Sequence, residues 1–264
     1  MMYEEFASVY DELMDDVPYG EWAELIHKLI LLYGISKPYA SDKQADTPLE
    51  EEKNLVLDLA CGTGTVTELL SQKGYDMIGI DASDAMLSVA NEKKEQSGSG
   101  ILYLNQEMQS FELYGMVGTI YCICDSINYL LTDGELRETL RLIYNYLYPD
   151  GIFIFDFNTV YKYREIIGDS TIAEDREDVS FIWENFYEEE SRINEYDLTL
   201  FTKADYDSGL YIKTKETHLQ RGYEETEIRD FLREAGLHVV TTFDADTREA
   251  PTKESERIFV VARK

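Results

Sequence analysis

The sequence predicts an α/β fold: a seven-stranded, mostly parallel sheet with helices on both faces and a small inserted antiparallel β-sheet. Three observations predict it. Between residues 55 and 157, apolar runs of strand length alternate with helical stretches, the order of a parallel sheet. The first of these strands runs straight into a glycine-rich turn, Ala60-Cys61-Gly62-Thr63-Gly64, and a helical pattern starts at once. From about residue 170 to residue 221 the apolar period shifts to two, the mark of antiparallel strands.

Residues 3–33 read as helical, with Trp22, Leu25, Ile26 and Leu29 at helix spacing and Gly34 as the stop. Lys37 to Asn54 holds Pro38, Pro48, small polar residues and Glu50-Glu51-Glu52, and reads as a loop. Strand 55–59, helix 64–73, strand 76–80, helix 84–96, strand 101–104 and strand 118–124 follow. Ser83 is placed to cap the second of these helices, and Ser97-Gly98-Ser99-Gly100 to stop it. Thr132-Asp133-Gly134-Glu135 fits a capping box for a helix reaching Leu147. Pro149-Asp150-Gly151 reads as a turn feeding the strand Ile152–Phe157, apolar except at Asp156. In the inserted region Ile193, Tyr196, Leu198 and Leu200 come close to alternation, and Ser208-Gly209 marks a hairpin. Helical spacing returns at Ile228, Phe231, Leu232 and Ala235 until Gly236, and the strands Leu237–Phe243 and Arg257–Ala262 close the chain. The expected organisation is a helical lid over 1–36, a loop over 37–54, a core from 55–168 with 222–264, and an inserted antiparallel β subdomain over 169–221 covering the active site.

The chain carries 53 acidic and 24 basic residues, a formal charge of −29. Nucleic-acid affinity rests on phosphate neutralisation by Lys and Arg, so no nucleic-acid partner is expected. Three cysteines without framework spacing fit a reducing, cytoplasmic setting, and the scattered His and Cys form no metal spacing. Cys122 and Cys124 are expected to share one face of a strand as buried thiols. The opening Met-Met-Tyr-Glu-Glu has no leader character, and no apolar run reaches membrane-spanning length.

The glycine turn presents backbone N–H groups and the positive end of a helix dipole to whatever lies above it. The next strand ends in Asp81, 17 positions after Gly64, where a carboxylate can accept both hydroxyls of a ribose. Dinucleotide sites carry a third glycine where this chain has Thr67, which disfavours an NAD-linked oxidoreductase. Asp58 beside the turn repels a pyrophosphate and suits a cofactor that carries an ammonium and a sulfonium. The strings D-L-A-C-G-T-G-T and G-I-D-A-S resemble class I S-adenosylmethionine-dependent methyltransferases, and more narrowly the YqeM-like small-molecule branch. The resemblance runs from Tyr3 to the end except between Lys37 and Lys53. It implies a Rossmann-like core whose last strand enters antiparallel, S-adenosylmethionine as cofactor, S-adenosylhomocysteine as product, and no metal.

On that resemblance, Gly62, Gly64, Ala60 and Cys61 pack against the methionyl part, and Asp58 reaches its ammonium unless it is a loop-capping acid. Asp81 holds the ribose, Ala82 and Met86 line the adenine, and Glu107-Met108 follows the third strand near the adenine amine, with Gln106 as the alternative. Cys124 and Asp125, with Ser126, lie near the methionyl part, although Asp125 or Ser126 is also placed to cap the next element. Asn128, Tyr129 and Gln220 face the acceptor. Tyr10, Tyr19 and Trp22 form an aromatic lid, Trp22 also fitting the core stripe. Tyr10 and His218 are the catalytic candidates, His218 being either a base poised near neutral pH or a structural strand histidine. The expected activity is methyl transfer by in-line displacement to a small molecule, from a monomer or homodimer. Methylation of RNA or protein, or cofactor binding without turnover, are the rivals.

Overall fold

A computed structural model of the chain describes residues 4–15, 17–39, 47–204 and 209–264. Helices α1 (Glu4–Leu13), α2 (Tyr19–Tyr33) and α3 (Pro48–Asn54) precede the core. Strands β1 (Val56–Leu59), β2 (Met77–Asp81), β3 (Leu102–Asn105) and β4 (Val117–Cys122) then alternate with α4 (Thr65–Gln72) and α5 (Asp84–Ser97). A 3-10 turn (Ser126–Tyr129), α6 (Asp133–Tyr146) and β5 (Leu147–Asn158) follow. After a π-helical turn (Lys162–Ile167) come β6 (Thr171–Asp175), β7 (Val179–Glu188), β8 (Ile193–Lys203) and β9 (Tyr211–Arg221). The chain ends in α7 (Glu225–Glu234), β10 (His238–Asp244) and β11 (Arg257–Arg263).

The main sheet has the order β10-β11-β5-β4-β1-β2-β3, with β11 antiparallel to both neighbours and the pairs from β5 to β3 parallel. Its inner strands β1, β4, β5 and β11 are buried on both sides, while the edge strands β3 and β10 are not, and the two-residue period sorts the side chains into two cores. Leu57, Ile120, Phe153 and Phe155 face α6 and α7 with Leu140, Ile143 and Leu232. Val56, Tyr121, Ile152 and Ile154 face α2 and α4 with Ile26, Ile30 and Leu70. The second sheet, β6-β7-β8-β9, is antiparallel throughout. No helix among the described residues is long and apolar enough to cross a membrane.

Several local expectations are corrected. The 3–33 helix is two helices, α1 ending at Leu13 and α2 starting at Tyr19 directly after Pro18, whose ring leaves no N–H for a continuous helix to use there. Tyr3 and residues 40–46 of the expected loop lie outside the described residues. The remainder of that loop contains α3, whose start signals outweigh its lack of an apolar stripe: the Thr47 hydroxyl accepts from Glu50 N, Pro48 is the first residue, and Glu50 and Glu51 fill the first turn. The Pro149–Gly151 turn is a bulge inside β5, where pairing jumps from Leu147 to Ile152 opposite Val117 and Thr119. Strand β4 ends at Cys122, and Cys124 has φ +62°, so alternation places Cys122 in the core while Cys124 turns to the sheet's carboxyl edge. Ser208 of the hairpin signal lies outside the described residues.

Candidate active site

At the carboxyl ends of β1, β2, β4 and β5 lies a cavity of about 910 Å³. Helix α1, the start of α2 and the inner face of β7 and β8 close it, through residues such as Tyr10, Met14, Trp22, Phe181, Trp183 and Tyr196. The turn after β1 makes the floor. Gly64, at φ +73°, starts α4, and a Cβ there would lie 2.4 Å from the Tyr103 hydroxyl. Gly62, at φ +54°, lines the cavity, and a Cβ there meets nothing within 4 Å. The first glycine thus leaves room for a ligand against bare backbone, and the second serves packing.

Two carboxylates flank this turn. Asp81 accepts Gly62 N at Oδ2 and Ser83 N at Oδ1, both at 2.8 Å, so it holds the turn and still offers lone pairs toward the cavity. Burial raises its pKa against the backbone hydrogen bonds that lower it. Asp58 is 3% exposed, and its Oδ2 accepts from the Thr67 and Tyr121 hydroxyls at 2.6 Å each. Tyr121 is its register partner on β4. Burial pushes the Asp58 carboxyl up to about 7, against those two hydrogen bonds. Oδ1 takes no hydrogen bond from the described residues, and Asp58 lines the cavity.

The folded pKa of Asp58 lies above its ordinary 3.8, so its contribution to stability is lost as pH rises from about 4 to about 7. Asp58→Asn keeps an oxygen for both hydroxyls and removes the buried charge. At pH 8 it is expected to raise Tm by about 3–6 °C, with the gap narrowing by more than half at about pH 5 and closing near pH 4, in thermal melts at all three pH values. The same variant weakens binding of any cationic ligand, which calorimetry reads.

Beyond β3, Gln106 is spent on its own loop, accepting Glu112 N at 2.6 Å and donating to Glu112 O. Glu107 and Met108 also line the cavity, as do Ala60, Cys61, Ala82 and Met86. After β4, Cys124 and Asp125 both adopt positive φ and bend the chain across the cavity. Ser126 Oγ donates to Ile123 O, while Asp125 caps nothing: it accepts Arg257 Nη2 at 2.5 Å and Gln220 Nε2 at 2.7 Å.

The candidates for the acceptor side divide. Tyr129 and Gln220 line the cavity. Asn128 is fully buried away from it, donating to Asn158 O and Arg221 O and accepting Asn158 N. His218 sits behind Tyr129 and Tyr196, 2% exposed. Tyr10, Tyr19 and Trp22 reach the cavity from α1 and α2, Trp22 also packing on the α2 core.

The sequence reading missed the ion cluster at the cavity's far end. Arg257 binds Asp125, the fully buried Asp156 at 3.0 Å and Asn158 Oδ1 at 3.2 Å, and Lys162 Nζ donates to the same Asn158 oxygen. Asp156, an acid inside an apolar strand, was the available signal. It also missed the tether of α1: Asp11 accepts Thr63 Oγ1 at 2.7 Å and pairs with Lys93 of α5 at 2.6 Å. At the same carboxyl end of α1, Arg176 from the turn between β6 and β7 reaches Asp15 and the Leu13 carbonyl.

The open Gly62 position and the acceptor oxygens of Asp58 and Asp81 fit an amino-acid tail and a ribose. The fold and this site define a class I S-adenosylmethionine-dependent methyltransferase. A methyltransferase-domain family model matches residues 56–151. A crystal structure of an S-adenosylmethionine-dependent methyltransferase from Clostridium acetobutylicum superposes with TM-score 0.82 at 28% identity, covering 99% of this chain and 98% of that one. The sugar N-methyltransferase KedS8 of Streptoalloteichus shares the fold at TM-score 0.71 and 15% identity, covering 97% and 93%. The Bacillus subtilis (strain 168) protein named as methyltransferase YqeM is 36% identical over 267 residues, 100% of this chain and 98% of that one. The chain belongs to the YqeM-like methyltransferases.

Proposed function

We propose that this enzyme moves a methyl group to a nucleophilic atom of a small molecule. The partial cover over the cavity carries this reading: α1 and the second sheet line it opposite the main sheet, leaving a half-enclosed pocket rather than an open groove. The net charge of −29 speaks against a nucleic-acid substrate, and similarity to a sugar N-methyltransferase is consistent with a small acceptor.

Bound here, S-adenosylmethionine supplies an electrophilic methyl on a sulfonium that departs as a neutral thioether. The chain's own residues bind, align and exclude water. Asp81 takes the ribose hydroxyls, Asp58 Oδ1 takes the ammonium, and Ala60, Cys61 and Gly62 pack against the tail. Ala82, Met86 and Met108 line the adenine, with Glu107 at its amine. Cys124 and Asp125 border the methionyl part. Tyr10, Tyr19 and Trp22 close the lid, their ring faces complementing a cation and displacing water. Tyr129 and Gln220 border the acceptor half, and Asn128, Gly64 and His218 support it from behind. Residues up to 36 act as the lid, 169–221 as the cover of the acceptor half, and the cell compartment is the cytoplasm.

Titration calorimetry tests the reading. S-Adenosylhomocysteine is expected to bind at about one per chain with micromolar affinity, near −8 kcal/mol. A low-molecular-weight metabolite fraction, and neither RNA nor protein, should then drive its release from S-adenosylmethionine. Absence of binding overturns the proposal, and turnover confined to RNA or protein overturns the choice of acceptor.

A further inference from the structure

Running back from the acceptor half of the cavity, four side chains stand in sequence. The Tyr129 and Tyr196 hydroxyls are 2.8 Å apart, and both residues line the cavity. The Tyr129 hydroxyl also lies 3.4 Å from His218 Nδ1, and His218 Nε2 lies 3.4 Å from Glu216 Oε2. The side chains of His218 and Glu216 are 1% and 10% exposed. The imidazole stacks on Tyr196 with centroids 4.7 Å apart and planes at 13°, and meets Tyr129 edge-on at 6.1 Å. Among the described residues, the titratable or charged groups facing it are Tyr129 from the 3-10 turn, Tyr196 from β8 and Glu216 from its own strand.

Strand periodicity builds this line. Residues 216, 218 and 220 point inward, while Lys215, Thr217 and Leu219 are exposed. Proton capacity then sets the direction of each bond. Nε2 faces the Glu216 carboxylate at 3.4 Å without hydrogen-bond geometry, and a carboxylate beside it favours the proton on that nitrogen, which leaves Nδ1 to accept from the Tyr129 hydroxyl. The Tyr196 hydroxyl, in turn, donates to the Tyr129 oxygen. A buried carboxylate is thereby connected, through an imidazole, to an oxygen at the acceptor wall.

From this juxtaposition we infer that Tyr129 is the general base for methyl transfer, that His218 takes the Tyr129 proton, and that Glu216 holds the resulting imidazolium. The inference rests on the methyltransferase reading and refines the acceptor: it arrives carrying the proton it must lose, as a neutral hydroxyl or amine. As the bond from acceptor to methyl carbon forms and the methyl–sulfur bond breaks, the acceptor proton passes to the Tyr129 oxygen and the Tyr129 proton to Nδ1. Two protons each shift one place, a net transfer of one from the acceptor to the imidazole; the sulfur leaves neutral, and nothing is oxidised or reduced. His218 and Glu216 act through Tyr129 and are positioning residues. The 3.4 Å spacings suit a relay that tightens when the acceptor is bound.

With three histidines in the chain, each imidazole is separately resolvable by nitrogen-15 NMR. In protein saturated with S-adenosylhomocysteine, His218 is expected as the neutral Nε2–H tautomer, and Tyr129→Phe is expected to shift its Nδ1 resonance. With a metabolite extract of fixed composition as acceptor source, Tyr129→Phe should lower the initial rate by about 100-fold while S-adenosylhomocysteine affinity stays within about twofold. Glu216→Gln removes the charge that favours imidazolium, so the acid limb of the rate profile should move to lower pH by about one unit. A proton on Nδ1, a rate unaffected in Tyr129→Phe, or an acid limb unmoved in Glu216→Gln overturns the relay. If the extract yields no turnover, the tautomer alone decides. Failure of S-adenosylhomocysteine to bind the wild-type chain would instead overturn the methyltransferase reading.

Discussion

Asp81→Ala is expected to weaken S-adenosylhomocysteine binding by about 100-fold, or ~2.8 kcal/mol. Two losses combine. The ribose loses two charge-assisted acceptors, worth about 1.5–3 kcal/mol each before water replaces them. The turn loses the group that accepts Gly62 N and Ser83 N, so the backbone against which the tail packs is no longer held. Asp81→Asn separates these effects: one amide oxygen still accepts one backbone N–H, while the amide nitrogen faces the other. Its affinity should fall between those of the wild type and the alanine variant. Calorimetry on variants with native circular dichroism reads the result. Wild-type affinity in Asp81→Ala would show that this carboxylate serves the turn alone.

The second large effect falls on Arg257. Its guanidinium joins Asp125, after β4, to Asp156 and Asn158 of β5, and its side chain is 18% exposed. Arg257→Met keeps much of the volume but leaves two carboxylates without their cation. Breaking a buried pair in this way costs about 3–5 kcal/mol, and Tm should fall by about 10 °C at pH 8. Burial already pushes the Asp156 carboxyl up to about 6 from an ordinary 3.8, even though Arg257 pulls it back. Because the folded value is the higher one, Asp156 costs the fold stability as pH rises through that window. Without Arg257 the folded value climbs further and the window widens upward. The Tm deficit against wild type should therefore shrink as pH falls from 8 to 5, since a protonated Asp156 needs no counter-ion. Asp156→Asn in the Arg257→Met background should recover part of the loss at pH 8. A deficit independent of pH would assign the effect to packing.

Much of the cavity floor around the glycine turn was legible in the sequence. The Ala60–Gly64 turn, Asp81 and Met86 follow one another within a single strand–turn–helix–strand run, so local backbone rules place them. The acceptor half was not legible in the same way. Arg257, Asp125 and Asp156 are brought together only when β11 inserts beside β5. Asn128 reads as a pocket residue by its position after β4, yet its amide closes backbone groups on β5 and β9. The polar helix α3 was missed because apolar periodicity is absent there and its only signal lies in its caps.

What the sequence by itself determined is the alternation of strands and helices, the glycine turn and its two acids, and the antiparallel insert. Each depends on side chains a few positions apart, whose spacing matches the period of one element or the dihedrals of one turn. The tertiary structure alone decided which charges neutralise one another, that Asp58 is buried beneath two hydroxyls, and that His218 reaches the cavity only through Tyr129. Those outcomes depend on burial and on contacts between distant segments, and a buried charge takes its character from whichever group the packing sets beside it.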